Sequence, residues 1–284
     1  MEVKLHQSRY HIGRINELEV LRLVSIGAYL EWDNESGILL PLRYLPQGLE
    51  VGQKVEVFVY HDNEGRLIAT TLKPYAQVGE TAYLECVGLS SAGAFVDWGI
   101  HKDLFVPFAE QKGQMEEGKS YVVHLYIDRI SGKIVGSAKL NKHIGNVLPS
   151  HAPGDRVQAL AYERNDAGLR CIVDHIHWGI IYEGEYDEEL RRGDNITAYV
   201  TRIREDGRID LSLRPVGYDC VDGDMTKLMR LLHAAGGKLP IGDKSPAEEV
   251  LRLTGLSKKS FKMVCGALYK KRKLRLTPNS IELI

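Results

Sequence analysis

The residues best suited to chemistry are the lysines near the C-terminal end of the chain. From Ser257 to Ile284 there are eight lysines or arginines against one glutamate, so the preceding residues carry about −8 of a total charge of −1. Apolar residues at helical spacing predict a helix from Ser257 to about Lys271. The lysines on or beside its opposite face are Lys258, Lys259, Lys262, Lys270 and Lys273. Because no acidic neighbours in the sequence balance them, these ammonium groups predict contact with the phosphates of a polyanion.

Other reactive side chains do not assemble into a catalytic or metal site. His175 and His177 lie on one face of a predicted strand, but no third ligand accompanies them, so we interpret them as surface or core histidines. The remaining serines, aspartates and histidines form no nucleophile elbow or acid–base pair, and no glycine-rich phosphate loop is present. The sequence therefore predicts a protein that is not an enzyme and uses no metal ion or cofactor.

Four scattered cysteines indicate a reducing compartment. Cys86, Cys171, Cys220 and Cys265 form no CxxC pair, so we interpret them as core thiols rather than as disulfide or zinc ligands. No apolar run reaches the roughly 20 residues that a membrane-spanning helix needs, and the N-terminal residues lack the apolar centre of a signal peptide. We expect a cytoplasmic protein with no membrane partner.

An internal repeat organises most of the chain. One layout of short alternating strands occurs three times, and in each copy an opening glycine precedes a second glycine by 25 residues: Gly27 and Gly52, Gly93 and Gly118, Gly168 and Gly193. Each copy has room for five strands within about 65 residues, which is typical of a closed Greek-key barrel of the oligonucleotide/oligosaccharide-binding (OB) type.

The hydrophobic period changes after Val216. Leu228 and Leu232 share one face of a first helix, and Ser245 is the predicted N-cap of a second helix that begins with Pro246. The basic helix follows, and two short strands around Pro278 predict a terminal hairpin. Three helices and a terminal hairpin are typical of a winged helix-turn-helix domain.

The predicted fold class is therefore mainly β. It consists of three tandem five-stranded OB-fold barrels followed by a small α+β winged helix-turn-helix domain. The predicted domains are barrel one at 1-73, barrel two at 74-142, barrel three at 143-216 and the winged-helix domain at 217-284.

Three short motifs relate these modules to a known domain. The segments GRIDLSLR at 207–214, GKIVGSAK at 132–139 and GAFVDWG at 93–99 closely resemble the S1 RNA-binding domain, a branch of the OB-fold barrels. Three such modules followed by a winged helix resemble the conserved virulence factor B (CvfB) family of bacteria, over the whole chain. The resemblance implies a non-catalytic, RNA-binding regulator of gene expression whose partner is single-stranded RNA.

The resemblance also implies RNA-binding roles for particular residues, which are carried over by position. The aromatic place two residues after the opening glycine is filled by Tyr29, Phe95 and Arg170. The histidine place twelve residues further on holds Pro41, Pro107 and Tyr182, which departs from the S1 pattern in every copy. The acidic place holds Asp62, Asp128 and Arg204, and the basic place after the turn glycine holds Arg66, Lys133 and Arg208.

The third copy is the predicted stronger RNA binder. It places Arg170, Tyr182, Arg204 and Arg208 in one module, and guanidinium and aromatic planes can both stack on exposed bases. Trp32 and Trp98 alternate out of phase with the aromatic place, so we expect them to face the core.

Two other functions remain compatible with the sequence. The winged helix can bind duplex DNA, which would make the protein a transcription regulator with accessory barrels. The acidic N-terminal portion would instead suit an adaptor whose barrels mainly bind other proteins, which the sequence does not identify.

Overall fold

In the computed structural model the described residues are 10–33, 36–186, 189–215 and 218–284, without the side chains of 218–223 and 259. The chain divides into two compact units. One holds residues 1–150, 158–196 and 204–209, and the other holds residues 151–157, 197–203 and 210–284. Within the described part of the chain, no helix has the length and apolarity needed to cross a bilayer.

The first module is a closed five-stranded barrel with the strand order β1-β2-β3-β5-β4. Its strands are β1 (Ile15–Val24), β2 (Gly27–Leu30), β3 (Ile38–Pro41), β4 (Lys54–His61) and β5 (Leu67–Thr70). Alternate residues point inward, so Leu18, Val20, Leu30, Leu40 and Val57 are buried in the core. The connection between β3 and β4 contains one short 3-10 turn at Leu42–Tyr44.

The opening glycine of each repeat is required by a close backbone contact. A Cβ atom at Gly27 would lie 2.0 Å from the carbonyl oxygen of Leu40, on the neighbouring strand. The corresponding distances are 2.3 Å from Gly93 to Val106 and 2.2 Å from Gly168 to Ile181. Only glycine allows the second and third strands of each barrel to approach this closely, which explains why all three copies begin with it.

The second glycine of each repeat donates a hydrogen bond to the first strand of its barrel, at the point where that strand has a bulge. Its N–H donates to the first strand of the same barrel at 2.8 Å: Gly52 to Val20, Gly118 to Cys86 and Gly193 to Ala161. These glycines have φ values of 84°, 78° and 96°, a backbone region that other residues rarely adopt. The constant spacing of the two glycines therefore reflects the fixed length of chain between two structural positions.

The second module has the same five strands in an open hydrogen-bonding order, β10-β9-β6-β7-β8. The strands are β6 (Thr81–Leu89), β7 (Gly93–Val96), β8 (Leu104–Pro107), β9 (Ser120–Ile127) and β10 (Ile134–Ser137). The edge strands β8 and β10 nevertheless lie against each other, because Gly136 leaves space for Leu104 and Val106. Trp98 is buried and packs edge-on against Phe58 of the first barrel, which confirms its predicted core position.

The third module is a closed barrel with the strand order β11-β12-β13-β15-β14. Its strands are β11 (Arg156–Asn165), β12 (Gly168–Val173), β13 (His177–Tyr182), β14 (Asn195–Ile203) and β15 (Ile209–Ser212). The predicted architecture of three five-stranded barrels is confirmed, with the difference that the second sheet is closed by side-chain packing between its edge strands.

The C-terminal region is the predicted winged-helix domain. Its helices are α1 (Tyr218–Ala234), α2 (Ala247–Thr254) and α3 (Lys258–Lys270), and its strands are β16 (Lys238–Leu239), β17 (Leu274–Leu276) and β18 (Ile281–Leu283). The strands form a three-stranded sheet with the order β16-β18-β17, so the predicted hairpin gains a short third strand. Phe261, Val264 and Leu268 on α3 are buried against Leu228 and Leu232 of α1.

One predicted helix cap is wrong and another is confirmed. The Ser245 hydroxyl does not cap α2; it accepts a 2.9 Å hydrogen bond from the N–H of Gly242 instead, and Pro246 occupies the cap position. Serine side chains compete for nearby backbone donors in this way. Ser257 caps α3 as predicted, because its hydroxyl accepts from the N–H of Ser260.

Candidate nucleic-acid interface

The outer face of the second barrel carries a pair of aromatic rings. Phe95 on β7 lies directly opposite Phe105 on β8, with ring centroids 5.3 Å apart. Both rings are half-buried, while their strand neighbours Ala94, Leu104 and Val106 are fully buried. The alternation therefore directs the two rings away from the core, where they can stack on a base.

Lys133 lies at the end of the β9–β10 turn of the same barrel. The turn is organised by Asp128, whose carboxylate accepts from the N–H and hydroxyl of Ser131. In the described residues no acidic side chain forms an ion pair with Lys133, so its ammonium group remains available to an anion. The side chains of the predicted acid and base of this repeat therefore do not bond to each other, although the backbone N–H of Asp128 donates to the carbonyl oxygen of Lys133 at 2.9 Å.

In the first barrel the corresponding groups are already engaged. The guanidinium of Arg22 lies 4.2 Å from the ring centroid of Tyr29 and covers one face of that ring. Arg66 donates twice to the Asp62 carboxylate and also forms a 2.7 Å ion pair with Glu64. Burial by itself raises the pKa of Asp62, but hydrogen bonds, chiefly those from Arg66, outweigh it and lower this pKa, so the pair stays charged.

The third barrel presents a cation, Arg170, where the second presents Phe95. The guanidinium of Arg170 lies 3.6 Å from the ring centroid of Trp178 and 5.9 Å from that of Tyr162. Burial, and to a lesser extent the neighbouring Arg208, lower the pKa of Arg170. The Trp178 ring is consequently covered by an arginine of its own barrel.

The other predicted residues of the third barrel also have partners within that barrel. Arg204 donates a hydrogen bond to the hydroxyl of Tyr182, and its guanidinium lies 5.8 Å from that ring. Arg208 forms an exposed ion pair with Asp206 at 3.4 Å. The structure therefore joins Arg204 with Tyr182, whereas Arg208 is related to Arg170 only through the effect of its charge on the pKa of Arg170.

Several residues of these faces escape prediction from the sequence. The rings of Phe105, Tyr162 and Trp178 belong to these faces. Arg192 does too, since it donates to the carbonyl oxygen of Tyr162 and lies 5.7 Å from that ring. Lys112 of the second barrel also lies 6.0 Å from the Tyr162 ring. Phe105 alone carries a usable signal, since it alternates with two buried residues directly across from Phe95.

The predicted lysines of the basic helix α3 differ in whether they already have a partner within the protein. Lys262 is exposed but pairs with Asp243 at 2.9 Å, an acid that lies far from it in sequence. Lys258 donates to the carbonyl oxygen of Ser245. Lys270 and Lys273 are exposed, and within the described chain they form no ion pair. The side chain of Lys259 lies outside the described residues.

The histidines of the second and third barrels form hydrogen bonds and ring contacts. The N–H of Thr81 donates to His175 Nδ1 at 3.1 Å, and the Thr81 hydroxyl bonds His124 Nδ1 at 3.0 Å. The His124 ring also stacks on His143. No cluster of three metal-binding side chains occurs in the portion of the chain that is described.

Family models match three successive parts of the chain. An S1 domain matches residues 12–72, the second domain of the virulence regulatory factor CvfB matches residues 141–215, and a CvfB-like winged helix domain matches residues 226–283. The family resemblance predicted from the sequence is thereby confirmed.

Individual relatives extend along almost the whole chain. A Bacillus subtilis protein described as uncharacterized protein YitL is 29% identical over 267 residues, which cover 87% of this chain and 85% of the relative. Conserved virulence factor B of Staphylococcus saprophyticus is 24% identical, and the matched residues cover 96% of this chain and 94% of that protein. A solved multidomain protein with nucleic acid binding domains, from Streptococcus pneumoniae, is 22% identical with a TM-score of 0.40, covering 96% of this chain and 98% of that chain.

Proposed function

We propose that this member of the conserved virulence factor B family binds single-stranded RNA and catalyses no reaction. The S1 and CvfB matches indicate a nucleic-acid-binding regulatory protein. The preference for RNA and for single strands rests on the faces of the barrels. We expect it to act in the cytoplasm, with which the buried free thiols of Cys86, Cys171 and Cys265 are compatible.

One observation carries the proposal. The same position on the second strand of each barrel holds a planar side chain directed outward: Tyr29, Phe95 and Arg170. Planar groups stack on unpaired bases with about 1–3 kcal/mol per base and little sequence preference, whereas the bases of a duplex are already stacked on each other. One face of Tyr29 is covered by Arg22 and Arg170 lies over Trp178, so the Phe95 ring, with Phe105 beside it, carries most of the expected stacking on a single strand.

Basic side chains supply the phosphate contacts. Lys133, Arg208 and the exposed Lys270 and Lys273 lie on surface turns or at the end of α3. Gly266 shares the exposed side of α3, and no atom lies within 4 Å of where its Cβ would be, so the fold itself does not require glycine there. A glycine at this position permits a close approach of the helix backbone to a nucleic-acid strand.

The test compares ligands of equal length at matched salt. The full chain is titrated with single-stranded RNA and with duplex DNA, and we expect the RNA to bind at least about tenfold more tightly, as several stacking contacts would produce. The triple variant Tyr29→Ala, Phe95→Ala and Arg170→Ala should lose most of this affinity. The matched control Tyr75→Ala with Phe108→Ala removes two exposed rings outside these faces and should bind like the original chain.

The other functions give different results in this experiment. Tighter binding of duplex DNA would favour a transcription regulator that uses the winged helix. Binding of neither nucleic acid by the folded chain would favour a protein-binding adaptor and would contradict the proposal.

A further inference from the structure

A cavity of about 500 Å³ lies between the first and second barrels, within one compact unit. Its wall from the second barrel includes Phe95, Phe105 and Lys133, and its wall from the first barrel includes Tyr60 and His61 at the end of β4. The volume is within the range of about 300–1,000 Å³ that is usual for sites of small organic ligands. Neither barrel forms this cavity alone.

The relative position of the two walls is fixed by Lys102. Its ammonium group extends from the second barrel and donates to the carbonyl oxygens of His61 and Asp62 at 2.8 and 2.7 Å. Phe58 and Tyr60 of the first barrel also pack in the same hydrophobic cluster as Trp98. The cavity is therefore built into the junction of the barrels.

His61 supplies an unsatisfied polar atom in this wall. Its Nδ1 atom is buried and has no hydrogen-bond partner among the described residues. Burial, followed by the nearby charges of Lys102 and Lys133, lowers the pKa of His61, so the ring is neutral near pH 7. A buried polar atom without a partner is costly, and a ligand that bonds it removes that cost.

The charges around the cavity favour an anionic group beside Lys133. Two of the acids in the wall are already engaged: Glu110 with Lys142 at 2.6 Å and Asp128 with Ser131. Asp103 also lines the wall, and burial followed by the charge of Asp97 raises its pKa. Lys133 is the exposed ammonium group at this rim that has no acidic partner within the described chain.

We propose that this cavity binds one ribonucleotide, with the base against the Phe95–Phe105 pair, a hydrogen bond from the base to His61 Nδ1, and the phosphate at Lys133. The inference rests on the proposed function and narrows it to a site shared by two barrels. A nucleotide within an RNA strand and a free nucleoside monophosphate have the same chemistry here.

The experiment uses the full chain with adenosine 5′-monophosphate, adenosine and a single-stranded RNA, followed by calorimetry. We expect saturable binding of one equivalent of the monophosphate. Phe95→Ala should weaken it by about fivefold or more, the low end of the loss of one stacked base. His61→Phe should weaken it by about fivefold, as the loss of one hydrogen bond produces. Lys133→Gln should weaken the monophosphate but not adenosine.

Matched controls come from the same structure. Lys119→Gln changes an exposed lysine of the second barrel that pairs with Glu116, and His101→Phe changes an exposed histidine beside Lys102; neither residue lines the cavity. Both should bind the monophosphate as the original chain does. Thermal unfolding of each variant identifies any that fail to fold, and crosslinking of an RNA with a single 4-thiouridine to peptides containing Phe95 or Tyr60 locates the site without any substitution.

The outcomes separate this inference from the broader proposal. RNA binding without saturable monophosphate binding, or monophosphate binding unchanged in all three variants, would overturn the cavity site alone. Failure to bind either ligand would overturn both. Competition between the monophosphate and RNA assigns the bound nucleotide to the strand, and independent binding assigns it to a free nucleotide.

Discussion

The second and third barrels share one fold but present different chemistry at the same strand positions. In the second barrel Phe95 and Phe105 form an aromatic pair that lines a cavity. In the third barrel Arg170 occupies the place of Phe95, and its guanidinium covers the ring of Trp178 at 3.6 Å. One face is suited to stacking with a base, and the other is suited to attracting phosphates.

The difference shows that copies of a repeat need not contribute equally to binding. Stacking contributes affinity that depends little on salt, whereas phosphate contacts release counterions and weaken as salt rises. The prediction that the third barrel binds RNA more strongly than the first remains untested. The candidate groups have partners in both barrels: Arg66 with Asp62 and Tyr29 with Arg22 in the first, Arg208 with Asp206 and Tyr182 with Arg204 in the third.

The largest effect is expected from the aromatic pair of the second barrel. Phe95→Ala with Phe105→Ala should weaken single-stranded RNA binding by about tenfold or more, since stacking is worth about 1–3 kcal/mol per base. The dependence of log affinity on log salt should stay unchanged, because no charge is removed. Titrations at several salt concentrations measure both quantities. The control is Phe108→Ala, which removes an exposed ring of the same barrel. An equal loss of affinity in that variant would contradict the assignment of stacking to Phe95 and Phe105.

A smaller and salt-dependent effect is expected from the third barrel. Arg170→Gln with Arg208→Gln should flatten the salt dependence by about 1.4 in log–log slope, at about 0.7 per lost phosphate contact. The loss of affinity should be clear at low salt and slight at high salt. The matched pair Arg22→Gln with Arg66→Gln in the first barrel should change the slope less, because Arg66 is already neutralised by two acids, Asp62 and Glu64, whereas Arg208 is paired with Asp206 alone in the described residues. Equal changes in slope would remove the distinction between the barrels.

The smallest effect is an effect of pH on stability, and it is expected at the contact between the second and third barrels, where His124 lies. Burial, and then the charges of His143 and His175, lower the pKa of His124 to about 4. An unfolded histidine titrates near 6.5, so below that pH the unfolded chain takes up a proton that the folded chain does not. Stability should therefore be fully present above about pH 6.5 and decrease as the pH falls toward 4.

Thermal melts at pH 7.5 and pH 5 test this expectation. We expect a decrease in Tm of at least about 2–4 °C from this group, the shift that 1 kcal/mol produces in a chain of this size class. His124→Gln should show a smaller decrease between the two pH values, with His101→Gln as the control at an exposed histidine. An identical decrease in His124→Gln would mean that other groups cause the acid sensitivity of this contact.

The sequence by itself determined the repeat, the fold class and the winged domain. These depend on local properties: strand alternation, helical spacing, and glycines such as Gly27 and Gly52 whose roles follow from a short stretch of chain. It also placed Phe261, Val264 and Leu268 in the core of the winged domain, because helical geometry alone puts them on one face.

Only the tertiary structure decided which of the candidate groups are available to a ligand. Lys262 is paired with Asp243, Arg170 lies over Trp178, and His61 of the first barrel forms a wall of a cavity in front of Phe95. Each of these contacts joins residues from different strands, helices or barrels. Such contacts depend on strand register and on how neighbouring barrels dock, and neither is encoded in the local spacing of residues.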